Sequence, residues 1–289
     1  MHGRVPDPPG TGPATGQAPA RQRSDGRVRL RAGPAGGGGS TRILDLAEAG
    51  PSRLRFPRGE GPLEAVLVNS AGGVACGDTF SIDLDLEPDA DLVLTTTAAE
   101  KIYRSDGPVS RIENRLSLGE GARLAWLPQE TIVFDRARVR RVFEADLAAG
   151  AALVAVEVVA FGRVARGERI ASGLFADAWR VRRAGRLVYA DNLLLEGPIS
   201  DLLARSAIGG GACACATVLD VSDGAEARLE EARDRLAAIE RPGIEAAASA
   251  WNGHLVIRAL AGGVGPLRDL IARFLASHRG LPMPRVWQS

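Results

Sequence analysis

The stretch Ser81–Thr97, SIDLDLEPDADLVLTTT, decides the fold class. Ile82, Leu84 and Leu86 alternate with Ser81, Asp83, Asp85 and Glu87. After Glu87-Pro88-Asp89 the rhythm resumes, with Leu92 and Leu94 set between Asp91 and Val93 and running into Thr95, Thr96 and Thr97. A period of two puts every second side chain on one face, so these are two strands, each with one dry face, joined by a turn. The same pattern extends outward. Val28 and Leu30 alternate with Arg27, Arg29 and Arg31, Leu116 and Leu118 with Arg115 and Ser117, and Leu124 and Trp126 with Arg123 and Ala125. Turn residues separate the runs at Asp106-Gly107-Pro108, Gly119-Glu120-Gly121, Ala149-Gly150 and Ala184-Gly185. Strands polar on one face and apolar on the other predict stacked antiparallel sheets, at a spacing that suits sandwiches, barrels and β-helical stacks alike. No strict short repeat is present.

Ala151–Ala160, AALVAVEVVA, is apolar at nearly every position and predicts a strand buried on both faces, with Glu157 in its middle. After about residue 198 the pattern changes. Cys213–Val221 reads as a strand, and the following segment from Ala225 to position 240 as an amphipathic helix capped by Ser222 or Asp223 and stopped by Pro242-Gly243. Two β-like stretches follow, Ile244–Ala250 and His254–Leu260. A second helix is expected from about Pro266 to His278, ending at Gly280. The expectation is a tail over residues 1–25 and one domain over 26–289, made of a β body (26–198) and an α+β element with two helices (199–289). The Pro-, Gly- and Ala-rich tail lacks the large apolar residues a core needs.

Composition removes several function classes. The 289 residues carry 36 Lys and Arg against 35 Asp and Glu, a formal charge of +1, which argues against a nucleic-acid or membrane-surface partner. Three His and three Cys, with no CxxC pair and no HExxH, leave no zinc motif. The odd cysteine count argues against a disulfide framework, and no apolar run reaches the roughly 18 residues of a membrane span. The N-terminus has no apolar h-region, so the chain is expected to be cytoplasmic and soluble. No GxxxxGK[ST] and no GxSxG occurs. His278 falls in the last turn of a predicted helix, where a cation suits the dipole. Lys101 is the only lysine.

What remains are carboxylates in apolar or glycine-rich settings: Asp78, Glu130, Asp135, Glu157, Glu168 and Asp191. A buried carboxylate needs an arginine, hydrogen bonds or a metal. The residues alone leave three readings open: arginine ion pairs, oxygen ligands along an internal cavity, or the acid/base pair of a stand-alone β-rich hydrolase. The last is weakened by an aromatic content of 4%.

Five words of the sequence resemble the urease accessory protein family UreD, also called UreH. They are Asn69–Gly73 with Gly77-Asp78, TTTAAEKIYRS at Thr95–Ser105, LAWLPQETIVF at Leu124–Phe134, Phe161-Gly162-Arg163 with Gly167-Glu168, and PMPRVW at Pro282–Trp287. The words occur in order, and the resemblance covers roughly residues 26 to 289. The resemblance implies a mainly β, β-helix-like body of stacked sheets with two C-terminal helices, and no catalysis by this chain. It also implies a scaffold that binds UreF, which recruits the GTPase UreG, and that docks on the urease apoprotein. Nickel would pass through an internal tunnel to the nascent urease active site, with no cofactor held tightly. By residue, Asp78 fills the acidic position closing the GGxxxGD loop, Glu157 the one before the FGR word, and Asp191 the one before the next L-x-L strand. Glu130 and Glu168 are motif members. Cys76 stands where glycine is more usual, as an added soft ligand or a small core residue. Cys213 and Cys215 share a strand face and are expected to pack. Spaced carboxylates hold Ni²⁺ weakly, whereas a storage cage would use His or Cys.

Overall fold

The computed structural model describes residues 23–35, 40–59, 61–239 and 241–288. The expected tail lies outside these residues up to position 22. Arg23 to Asp25 belong to the fold, because Ser24 bonds to Asp78 and β1 starts at Asp25.

In chain order the strands of the body are β1 (Asp25–Pro34), β2 (Thr41–Ala49), β3 (Ser52–Arg55), β4 (Leu63–Asn69), β5 (Thr79–Leu86), β6 (Asp91–Thr96), β7 (Glu100–Ile102), β8 (Ser110–Leu118), β9 (Arg123–Leu127), β10 (Thr131–Val133), β11 (Arg138–Leu147), β12 (Ala152–Phe161), β13 (Gly173–Arg183) and β14 (Arg186–Gly197). A short helix α1 (Ile199–Leu203) follows, then β15 (Ala214–Val221), α2 (Leu229–Ala238), β16 (Ile244–Trp251), β17 (His254–Ala261) and α3 (Val264–Arg279).

Two sheets face each other. The first runs β14-β13-β11-β8-β5-β1-β2 and the second β16-β17-β15-β12-β9-β6-β4-β3. The chain alternates between them, β4 to β5 to β6 and on to β13, and so winds a β-solenoid of about four turns. Its stacked strands therefore pair parallel: β1, β5, β8, β11 and β13 in one sheet, β4, β6, β9 and β12 in the other. Antiparallel pairing is confined to the flanks, at β2, β14, β3 and the β15–β17–β16 extension. The β-helix-like expectation holds, and the antiparallel expectation is corrected for the body. A third, short parallel run joins Val74, β7, β10 and the end of β12.

The turns read from sequence are the corners of this coil. Ala90, Ala122 and Ala151 each donate to the carbonyl three residues back, at Glu87, Gly119 and Ala148. The residue before each alanine is left-handed: Asp89 (φ 60), Gly121 (φ 68) and Gly150 (φ 71). All three alanines are fully buried, because the corners stack and leave no room for a larger side chain.

Apolar side chains fill the space between the sheets as two groups, one around Trp126, Phe143 and Trp179 and one around Phe161, Phe175 and Val139. A third core lies outside the second sheet, under α2 and α3. This explains the two-faced strand: in β12, Leu153 and Ala155 face the first sheet while Val156 and Val158 face the helices. Leu267, Leu270, Ile271, Phe274 and Leu275 form the buried stripe of α3, which stops at left-handed Gly280. The start of α2 differs from the expectation. Residues Glu226–Arg228 form a 3-10 turn, the α-helix begins at Leu229, and Ser222 is not its cap, because its hydroxyl bonds Asp220 instead. Helix α1 is too short to leave a periodic signal.

Candidate functional site

The two apolar groups between the sheets are separated by a polar seam. Its centre is Arg141, on the inward parity of β11 between Val139 and Phe143. One guanidinium nitrogen donates to Glu157 Oε1 (2.5 Å) and to Thr131 Oγ1 (3.0 Å), and the other to Asp177 Oδ2 (2.7 Å). Asp177 sits directly opposite Arg141 in the β11–β13 register and also accepts from Trp179 Nε1 (3.1 Å). Glu157 faces them from the second sheet and accepts from Thr131 Oγ1 as well (2.9 Å). The guanidinium lies over the Phe175 ring, 4.9 Å from its centroid. Burial works against the Arg141 charge, but Asp177 and Glu157 outweigh it and hold the guanidinium firmly protonated. Burial, with Asp177 adding repulsion, pushes the Glu157 carboxyl above its ordinary value against the pull of Arg141.

Two cavities meet at this triad. A small one, about 90 Å³, is lined by Asn69, Glu100, Thr131, Arg141, Glu157 and Asp177 among others, and has room for several waters. A larger one, about 620 Å³, is lined by Glu157, Asp177, Asp191, Cys215, Glu245 and Arg258 among others. Glu157, Asp177 and Trp179 belong to both walls. In the small cavity, burial raises the Glu100 carboxyl to about 7, opposed by the amide of Asn69. In the large one, Asp191 Oδ2 accepts from Arg258 (2.7 Å) and Tyr189 (3.1 Å), and burial pushes the Cys215 thiol up to about 12. Among the described residues no three His, Cys, Asp or Glu side chains converge into a metal cage.

Of the candidates taken from sequence, the structure brings Glu157 and Asp191 together on the larger cavity. The other five lie elsewhere, each for a local reason. Asp78 is buried but accepts from the backbone N–H of Ser24 (2.7 Å) and Ala75 (2.8 Å), so it closes its glycine-rich loop. Cys76 is half-buried beside it, with Sγ 2.7 Å from Asp106 Oδ1. Glu130 pairs with Arg268 (3.2 Å). Glu168 grips Arg163 through two nitrogens (2.8 and 2.9 Å) and accepts its backbone N–H, which holds the carboxyl down at about 2. Asp135 likewise accepts from the backbone of Ala171 and Ser172. Arginine pairs and backbone bonds account for these carboxylates; Glu157 and Asp191 pair with arginines as well, but of the six they alone also line the two cavities. His278, as its place in the last helical turn suggested, is structural: its Nε2 meets Asp220 Oδ2 at 2.7 Å.

Sequence reasoning missed Arg141, Asp177 and Glu100. A signal existed for the first two: each interrupts the inward-facing alternation of its strand, Val139-Arg141-Phe143 and Phe175-Asp177-Trp179. In an arginine-rich chain such interruptions look like surface. The sequence words, by contrast, largely dock on one another. Gln129 donates to the Val286 carbonyl (2.6 Å), Trp287 Nε1 donates to the Leu127 carbonyl (3.0 Å), and Arg163 lies over the Phe134 ring.

A family model described as UreD urease accessory protein matches residues 24–288. Urease accessory protein UreD 1 of Methylobacterium radiotolerans is 78% identical over 289 residues, 100% of both chains. UreD 2 of Methylorubrum populi is 61% identical over 275 residues, 94% of this chain and 92% of its own. A UreD of Rhodopseudomonas palustris strain BisA53 is 49% identical over 251 residues, 86% of each chain.

Proposed function

The chain belongs to the UreD urease accessory protein family, and from that premise we propose that it is the scaffold that binds UreF, UreG and the urease apoprotein and conducts nickel through its interior. The family is one of non-enzymatic urease maturation proteins, which sets aside the carboxylate-pair hydrolase. The observation that supports the reading is the polar seam: Glu157 and Asp177 belong to the walls of two adjoining cavities. Asp191, at the half-exposed side of the larger cavity, supplies a further oxygen donor. Such a path suits transit. A few oxygen donors bind Ni²⁺ weakly enough to release it, whereas converging His and Cys would retain it. The nickel is cargo, and no resident cofactor is part of this reading.

Exposed apolar side chains on the outer strands support the docking part: Ile43, Leu44 and Leu46 on β2, and Leu187, Leu193 and Leu194 on β14. No helix among the described residues is long and apolar enough to cross a membrane. Maturation of this kind would take place in the cytoplasm, as the sequence analysis expects. Asp78, Glu130, Glu168 and Cys76 are not part of the proposed path.

The test is co-expression with the urease structural and accessory genes, followed by metal analysis of purified urease. Glu157→Gln with Asp191→Asn is expected to lower the nickel content at least tenfold while UreF, UreG and urease still co-purify. Wild-type nickel loading, or loss of partner binding, would overturn the assignment of these residues to the path.

A further inference from the structure

The triad at the junction of the two cavities already contains a cation. The Arg141 guanidinium spans two carboxylates from opposite sheets, Glu157 and Asp177, at 2.5 and 2.7 Å. Resting on the transit reading above, we infer that Arg141 is a tethered plug: it occupies the metal position between Glu157 and Asp177, and swings onto Glu100 when a divalent cation takes its place.

Three observations carry this. First, the site needs a positive charge at all times. Two carboxylates facing each other in a buried space cannot both stay ionised alone, and Arg141 supplies the missing charge. With one guanidinium the triad carries a net charge of −1, and a divalent ion on the two carboxylates makes that pair neutral. An arriving Ni²⁺ therefore meets a site short of one positive charge. A stray monovalent cation gains less there, so the plug favours divalent ions.

Second, the guanidinium has somewhere to go. Thr131 Oγ1 already accepts its Nη1 at 3.0 Å, and Glu100 is the register partner of Thr131 on the neighbouring strand β7. Paired residues on adjacent strands lie about 4.8 Å apart and point to the same face. Both Glu100 and Arg141 line the small cavity, so the swing crosses space that is already open. Among the described residues the Glu100 carboxylate is met by the Asn69 amide, at 3.3 Å to each oxygen, and by the Lys101 backbone, and no arginine pairs with it, which leaves it able to take a guanidinium. On Glu100 the arginine regains a full counter-charge.

Third, the two carboxylates can be reached without displacing Arg141 first: the larger cavity is lined by both of them and not by Arg141, so the ion arrives from that side.

The test uses the full chain and Ni²⁺ alone, by equilibrium dialysis. Arg141→Met empties the position, and Ni²⁺ affinity is expected to rise at least tenfold, with the gain abolished in Arg141→Met/Glu157→Gln. Unchanged affinity in folded Arg141→Met overturns the inference. Glu100→Gln guards against a folding failure of that variant, because it leaves the triad untouched. It is expected to slow nickel loading of co-expressed urease several-fold with unchanged partner binding and thermal midpoint, and wild-type loading overturns the swing. Failure of these variants alongside loss of nickel loading in Glu157→Gln/Asp191→Asn would remove the plug but keep the path. Wild-type loading in that double variant would remove the path itself.

Discussion

Asp220 offers the sharpest test of how the helices are held on the solenoid. It lies on β15, is 0% exposed, and is reached from three directions: Ser222 Oγ (2.6 Å), Arg228 Nη2 (2.6 Å) from the turn before α2, and His278 Nε2 (2.7 Å) from the last turn of α3. One buried carboxylate thus ties both helices to the second sheet. Asp220→Asn keeps the shape but removes the charge and turns one acceptor into a donor. A hydrogen bond to a charged group contributes about 1.5–3 kcal/mol, and breaking a buried pair costs about 3–5 kcal/mol. The amide oxygen retains one donor, and Arg228 can rehydrate because 35% of its side chain is exposed. The expected loss is therefore about 3 kcal/mol. At ~2–3 °C per kcal/mol for a chain of this size, the thermal midpoint by near-UV circular dichroism should fall by about 6–9 °C. Ser222→Ala removes a hydroxyl that donates to Asp220 and accepts from Arg228 but leaves both charges in place, and should cost about 1–2 kcal/mol. Asp220 lines neither interior cavity, so urease maturation per unit of folded Asp220→Asn protein should match wild type below the melting range. A midpoint within about 2 °C of wild type would refute the argument that this carboxylate anchors the helices.

Three further outcomes can be checked. Glu168→Gln should flatten the pH dependence of stability: Arg163 and backbone N–H groups hold the folded carboxyl at about 2 against 4.5 unfolded, so its contribution is present above pH 4.5 and lost as pH falls towards 2. The loss at pH 7 should be about 1 kcal/mol, small because the partner faces solvent, read as urea midpoints at pH 7 and pH 3. At the solenoid corners, Gly121→Ala should cost about 2 kcal/mol and Gly150→Ala about 1 kcal/mol. Both positions are left-handed, but a Cβ at Gly121 would lie 2.4 Å from Asp89 Oδ1, while the nearest atom at Gly150 is 3.9 Å away; equal losses by denaturant titration would contradict this. Leu194→Asp, at 61% exposure, should change folding stability by less than about 0.5 kcal/mol yet weaken UreF capture roughly tenfold, and intact capture would remove β14 from the docking surface.

The glutamate seam shows where legibility ended. Glu157 stood out because a charge in AALVAVEVVA contradicts its neighbours, and the strand is indeed covered on both faces. Arg141 and Asp177 break their strands' alternation in the same way, but RVRRVFEADL and GLFADAWRVRR also carry outward-facing charges that mask the break. Asp78 and Glu168 looked equally special, and their oxygens turned out to be used by backbone N–H groups and by Arg163. A carboxylate's partner depends on which strands stack, and that information lies 10 to 36 residues away from Arg141 for its own three contacts.

By itself the sequence determined β1, β5, β6, β8 and β9 of the body, the two-faced β12, the stripe of α3 and its stop at Gly280, because each depends on local periodicity or one residue's φ/ψ freedom. Only the tertiary structure decided that the strands run parallel. Alternation reports that one face is buried, not which direction the neighbour runs, and Asp89, Gly121 and Gly150 would serve a hairpin as well as a coil corner. The same winding brought Glu157 of one sheet against Arg141 and Asp177 of the other. The seam is a product of register across stacked coils, which no local pattern contains.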